Sequence, residues 1–248
     1  MQNLEKYVVI MGAQNRSGYF SIHGTGFLIA INNKAYSVTC RHVAISMCQY
    51  DVQFVIPNPK RTPQISTALL LSKPIYYNLN EPYVDICLME LSQYQASVLK
   101  ANGINTISLD ISDEIVNTIN NDTLITYGYP GDTTSKYLSE YEPNISLPTK
   151  EIHGIATDWS IETELYHPQN TKNKDAYNSK SIQIVYTEDN IINIEGMSGG
   201  PVFQKETGRL CGILTGGQIN AQLSDGKSAN ILLITPISYL IELLNRLI

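Results

Sequence analysis

The apolar positions of this 248-residue chain fall in short bursts, not in long stripes. The runs "YVVIMGA", "GTGFLIAIN", "KAYSVTC", "DVQFVIP", "STALLLS" and "VDICLMEL" occupy the first part of the chain. "TLITYGYP", "IHGIATDW", "SIQIVYT", "GPVFQ", "RLCGILTGGQI" and "SANILLITP" occupy the second. Each is rich in β-branched or aromatic residues, and most are bounded by Gly, Pro, Asn or Asp. Side chains of that shape suit a half-buried pleated surface, so the runs read as strands. Their near-regular spacing argues for a sandwich or barrel and against βαβ units.

Two segments have helical character. "CRHVAISMC" predicts a short turn after a strand. "TPISYLIELLNRLI" carries an early Pro and places Ile237, Leu240, Ile241, Leu244 and Leu247 at helical spacing. That helix is expected to cover a barrel; a partner-binding helix is the other reading. From about Lys100 to Asp122 the chain is polar and lacks aromatics, which suits a connection between two β units. Residues 133–150 and 162–180 are rich in Asn, Lys, Ser and Tyr. "YHPQNTKNKDAYNSK" has no apolar periodicity and predicts an exposed loop, either a partner contact or a passive insertion. The expected organisation is a first β unit over 1–115, a second over 116–235 and a helix over 236–248.

Composition narrows the function classes. Hydrophobic residues make up 43% and charged residues 16%, as in ordinary globular proteins. The net charge is −6 and no Lys/Arg run exceeds two residues, which argues against nucleic-acid binding. No stretch approaches the ~18 apolar residues of a membrane span, and the apolar run Tyr7–Met11 is too short for a signal peptide. Cys40, Cys48, Cys87 and Cys211 are scattered without CxxC spacing and predict four buried thiols in a reducing compartment, hence a cytoplasmic protein. No cofactor and no metal are expected.

Three short constellations carry chemistry. "GMSGGPVF" crowds three glycines and a proline around Ser198. It is either a tight surface turn or a nucleophile loop whose amides converge on a reacting oxygen. Met197, the one bulky residue beside the serine, is expected to point into the core. A serine needs a base, and the chain has four histidines. His167 lies in the polar loop, while His23 and His153 each precede a Gly next to a strand, where packing or surface roles suffice. His42 ends an alternating strand, a place where a side chain is displayed at a barrel rim. Asp85 sits inside the apolar run "EPYVDICLMEL" and is costly to bury unless paired. Glu90, at the run's end, is more easily solvated.

The order His42, Asp85, Ser198 is that of the chymotrypsin arrangement. The chain resembles the chymotrypsin/trypsin-like serine peptidase family, particularly its bacterial and intracellular members without disulfides. "GTGFLI" resembles the strand leading to the family's histidine, "VTCRHV" its histidine motif and "VDICLMEL" its aspartate motif. "GMSGGPVF" resembles its GxSGGP nucleophile motif. "GYPG" resembles an early strand of the second barrel, and "LCGILTGG" the strand that lines the substrate groove.

The resemblance implies two perpendicular six-stranded β-barrels, an all-β fold, with the site in the cleft between them. It implies Ser198 as nucleophile, His42 as general base and then acid, and Asp85 as the group that holds the tautomer. The N–H groups of Gly196 and Ser198 would form the oxyanion hole. Thr215 stands where the family has a hydroxyl bonded to the triad aspartate, and Gly216 and Gly217 would pair with the substrate backbone. Met197 replaces the aspartate by which secreted members capture a newly cut N-terminus, so activation by clipping is not expected. Ile192 stands at the floor of the P1 pocket and implies an apolar or small P1 residue, although Glu188, Asp189 or Glu195 could still supply charge.

The expected function is a serine endopeptidase of narrow specificity, acting on a protein or peptide such as one dedicated partner, and not on nucleic acid or a membrane. No peptide-binding module is expected after the helix. The alternative is a weak or latent peptidase-like module that only binds peptides. An esterase with a GxSxG elbow needs a histidine after the serine, and none follows Ser198.

Overall fold

A computed structural model of the chain describes residues 4–14, 16, 20–57, 69–78, 80, 84–109, 123–130, 150–157, 182–186, 194–222 and 226–247. The polar segment at 162–180 lies outside these residues, as does all but Lys150 of the 133–150 stretch. After a 3-10 turn at Leu4–Tyr7, the first β unit contains β1 (Val8–Gln14), β2 (Phe20–Ile31), β3 (Lys34–Thr39) and β4 (Val52–Pro57). It continues with β5 (Leu69–Leu70), β6 (Ile75–Tyr76), β7 (Cys87–Leu91) and β8 (Ile107–Ser108). The second holds β9 (Thr123–Gly128), β10 (Lys150–Thr157), β11 (Ile182–Tyr186), β12 (Pro201–Gln204), β13 (Leu210–Gln222) and β14 (Ser228–Pro236). Every run read as a strand contains one. The sequence pattern misses only β6 and β8, which are two residues each and too short for any alternation to register.

The second unit closes as a six-stranded barrel in the order β10-β11-β14-β13-β12-β9. The first is an eight-stranded sheet on the path β5-β4-β1-β2-β3-β7-β6, with β8 pairing β2. It exceeds the expected six strands because of its very short members. Its central hairpin turns through Asn32 and Asn33, both at positive φ (47° and 64°) between the paired residues Ile31 and Lys34. Two left-handed residues make a type I′ turn, whose twist matches that of the flanking strands, and Asn tolerates that backbone region.

Three helices complete the described chain. Helix α1 (Arg41–Met47) follows β3 directly. Helix α2 (Gln93–Ala101) was not expected from the apolar pattern, because Leu99 is its one buried side chain. Its signal is a capping box instead. The Ser92 hydroxyl accepts from the Gln95 N–H, and the Gln95 side chain accepts from the Ser92 N–H. Helix α3 (Ile237–Asn245) buries Ile237, Leu240, Leu243 and Leu244. Leu247, placed on the buried face by spacing alone, lies beyond the helix end and is 38% exposed.

Helix α3 does more than cover the barrel that precedes it. Its buried residues belong to the same apolar cluster as Val8, Ile10, Phe27 and Leu88 of the first sheet. Tyr77, just after β6, meets the Tyr239 ring edge-on at 5.4 Å and donates its hydroxyl to Glu242 at 2.6 Å. Arg246 donates to the Tyr77 carbonyl at 3.0 Å. The helix thus straps the end of the second unit onto the first. Three of the cysteines are buried thiols, but Cys48 is exposed, because it falls at the C-cap of α1 where the chain turns outward. Truncating the fully buried Leu240 to Ala should cost about 2–5 kcal/mol, whereas Leu247→Ala should stay within about 0.5 kcal/mol. Chemical denaturation of both variants checks the pair.

Candidate active site

Strand register brings the first two candidate residues together. Strands β3 and β7 are antiparallel, with Val38 opposite Leu88 and Thr39 opposite Cys87. Each step forward from Thr39 is a step back from Cys87, so the chain entering α1 is delivered beside Asp85. Helix α1 opens without a side-chain cap from Cys40, leaving first-turn amides that need acceptors. Asp85 supplies one: its Oδ1 accepts the His42 N–H at 2.9 Å. Its Oδ2 lies 2.5 Å from His42 Nδ1. An ionised carboxylate only accepts, so Nδ1 carries the proton and Nε2 is the basic nitrogen.

Burial makes this pair consequential. The Asp85 side chain has no solvent exposure, while that of His42 retains 18%. Burial pulls the His42 pKa down, but the charge of Asp85 and its hydrogen bond outweigh it and leave the ring raised above its ordinary value. A third group adjoins them. The Cys40 thiol donates to the Leu214 carbonyl at 3.1 Å, and burial, then the charge of Asp85, holds it well above the usual thiol range. Donor atoms of Cys40, His42 and Asp85 lie within 4.8 Å of one another. Both Asp85 oxygens are already engaged by His42, and the Cys40 thiol donates to Leu214 O, so a metal ion here would have to displace these bonds.

The segment Ile194–Gly200 answers why glycines crowd Ser198. The Met197 N–H donates to Ile194 O at 3.1 Å, and the Gly200 N–H donates to Met197 O at 3.0 Å. These bonds close two successive turns, and the third residue of each is a glycine at positive φ: Gly196 at 86° and Gly199 at 93°. That backbone is the one a type II turn requires, and glycine adopts it without steric cost. Gly199 is also packed too tightly for a side chain, since a Cβ there would lie 2.0 Å from the Thr25 carbonyl oxygen. The Gly199 N–H donates to Leu214 O at 2.7 Å. Among the described residues, no carbonyl takes the amides of Gly196 and Ser198.

Ser198 lies against the first sheet. Its carbonyl accepts the Thr25 N–H at 2.9 Å. A Cβ on Gly24 would stand 2.9 Å from Ser198 O and 2.7 Å from a methyl of Val43, so Gly24 is held between Ser198 and the neighbour of His42. Leu214 O serves both sides, accepting from Cys40 and from Gly199. Met197 is fully buried in the second core with Leu124, Val202, Cys211 and Leu214.

The remaining expected site residues are placed as follows. Thr215 is the bulged residue of β13, between the Leu214–Ile234 and Gly216–Leu233 pairs, and its hydroxyl donates to Leu233 O at 3.0 Å. A Cβ on Gly216 would meet nothing within 4 Å, whereas one on Gly217 would meet Ile194 at 2.4 Å. Glu195 is exposed. Ile192, Glu188 and Asp189 lie outside the described residues, as does His167. His23 is held between Ser21 and Ser46, 2.8 Å from each hydroxyl, and burial lowers its pKa. The residue that sequence reasoning missed is Thr25, though "GTG" carried a signal: glycines inside a strand mark close backbone approach.

Two β units that meet along this seam define the chymotrypsin-like fold. The model of the trypsin-like peptidase domain family matches residues 24–213, and the chain belongs to that family. A solved structure described as "Structure of GrC" is similar in fold, with TM-score 0.54 and 16% identity, over 98% of this chain and 95% of that one. A structure from work on the coupled folding and binding of the intrinsically disordered Sesbania mosaic virus VPg protein is similar at TM-score 0.50 and 11% identity. It covers 95% of this chain and 88% of that one. No curated protein sequence matches the chain. Among the described residues, no helix is long and apolar enough to cross a membrane.

The raised His42 pKa sets a signed expectation. The ring should titrate above 6.5, and its stabilising contribution, full below 6.5, should be lost as pH rises through the folded value. Asp85→Asn removes the charge and leaves the burial, so the variant's ring should titrate below the wild-type ring. NMR titration of the His42 ring in both proteins checks this; an unmoved midpoint would contradict the cause assigned.

Proposed function

We propose that this peptidase-family chain is a serine endopeptidase working through a His42–Asp85–Ser198 triad and an acyl-enzyme. The observation that carries the reading is the doubly bonded His42–Asp85 pair. Asp85 fixes the tautomer with its proton on Nδ1 and stabilises the imidazolium that forms in the reaction. Nε2 is then the base, and its raised pKa suits proton transfer near neutral pH.

In the proposed sequence, Ser198 Oγ attacks the carbonyl carbon of a peptide bond as His42 Nε2 takes its proton. The oxyanion is stabilised by the N–H groups of Gly196 and Ser198. His42 then gives the proton to the leaving amine as the C–N bond breaks, leaving an acyl group on Ser198. Water adds to the acyl carbon with His42 as base again, and the carboxylic acid leaves as Ser198 regains its proton. The substrate backbone lies along β13 at Thr215, Gly216 and Gly217, where Gly216 faces open space. With Ile192 at the pocket floor, the P1 residue is apolar or small. The substrate is a protein or peptide cleaved with narrow specificity, and the free cysteines suit a reducing cytoplasm.

A fluorophosphonate probe should label the wild type and leave Ser198→Ala unlabelled. Equal labelling of both would remove Ser198 from its role, and no labelling of either would favour a peptide-binding module. On a cleaved peptide, Asp85→Asn should lower kcat by roughly 10⁴. Activity near wild type would mean that Asp85 does not orient the base.

A further inference from the structure

Thr25, in the middle of β2, has no solvent exposure and makes four hydrogen bonds. Its N–H donates to Ser198 O at 2.9 Å. Its hydroxyl donates to Gly196 O at 2.8 Å and accepts the Tyr129 N–H at 3.0 Å. Its carbonyl accepts the Thr39 hydroxyl at 2.7 Å, three residues before His42. We infer that Thr25 is a positioning residue that holds the Gly196–Met197 and Ser198–Gly199 peptide planes so that the Ser198 amide carried between them faces the oxyanion. The inference rests on the triad reading of Ser198.

The Gly196–Met197 plane is held at its oxygen by the Thr25 hydroxyl and at its N–H by Ile194 O. The Ser198–Gly199 plane is held at its oxygen by the Thr25 N–H and at its N–H by Leu214 O. Between them, the Met197–Ser198 plane presents the Ser198 N–H, and its oxygen accepts from Gly200. Glycine rotates its flanking peptides with little steric resistance. Gly196 therefore needs an external clamp, and the Thr25 hydroxyl is the part of that clamp contributed by the opposite sheet. A hydroxyl has one proton to give and lone pairs to accept with, and here the same group anchors Gly196 and Tyr129 at once.

Thr25→Val keeps the shape and removes the hydroxyl, leaving the half-buried Gly196 carbonyl and the buried Tyr129 N–H without it. Thr25→Ser keeps the hydroxyl. Second-order fluorophosphonate labelling, taken per folded molecule, should fall roughly 10- to 100-fold in Thr25→Val, short of or equal to the 10²–10³ lost when an oxyanion donor is removed outright. Thr25→Ser should recover to within about threefold of wild type, as expected if the hydroxyl carries the effect. The acid limb set by His42 should stay in place in all three proteins, because the defect lies in the oxyanion donors and not in the base. Labelling of Thr25→Val at the wild-type rate, failure of Ser to restore it, or a moved His42 limb would each overturn the inference while leaving the triad intact. If Thr25→Val does not fold, Thr25→Cys replaces it; its weaker donor should give a rate between those of Ser and the Val expectation, and a wild-type rate would overturn the inference. Wild type that labels no faster than Ser198→Ala overturns the triad reading and this one with it.

Discussion

A carboxylate fully removed from water must find hydrogen-bond donors inside the protein, or its burial costs several kcal/mol. Asp85 meets that demand with two donors from one residue, the backbone N–H and the ring Nδ1–H of His42. The backbone bond also satisfies an uncapped amide at the start of α1, so the helix and the carboxylate each solve the other's problem. The ring bond leaves His42 in one tautomer and one orientation. The raised pKa of the ring is the same interaction expressed as proton affinity, with burial working against it.

The second sheet is fastened to this arrangement by backbone contacts that tolerate no side chain. Gly199 sits where a Cβ would strike the Thr25 carbonyl, and Gly24 where one would stand 2.9 Å from the Ser198 carbonyl. Leu214 O gathers the Cys40 thiol from one unit and the Gly199 amide from the other. Around them, α3 shares a continuous apolar cluster with the first sheet. The seam is therefore held by direct hydrogen bonds at the site and by apolar burial behind it.

Much of this was legible in the sequence, for reasons that differ from feature to feature. The strands were readable because β-branched runs and their Gly, Pro and Asn boundaries reflect local chemistry. Asp85 stood out because an acid amid Tyr-Val and Ile-Cys-Leu needs a partner. Helix α2 was hidden because a helix that buries one side chain has almost no periodicity, and its capping box spans four residues only. Thr25 was hidden because a threonine in a strand is ordinary until the opposite loop is known. Its partners Tyr129, Gly196 and Ser198 lie more than a hundred residues away. Cys48 was misread because its apolar neighbours belong to α1, whereas the cysteine itself falls where the helix stops.

The proposed role of Ser198 depends on its hydroxyl and two particular amides converging on one reacting centre. A crystal structure of the protein after reaction with a fluorophosphonate tests that convergence directly. The account predicts phosphorus bonded to Ser198 Oγ, with a phosphoryl oxygen about 2.7–3.1 Å from the amide nitrogens of Gly196 and Ser198. An adduct on another residue, or a phosphoryl oxygen turned away from both amides, would contradict it.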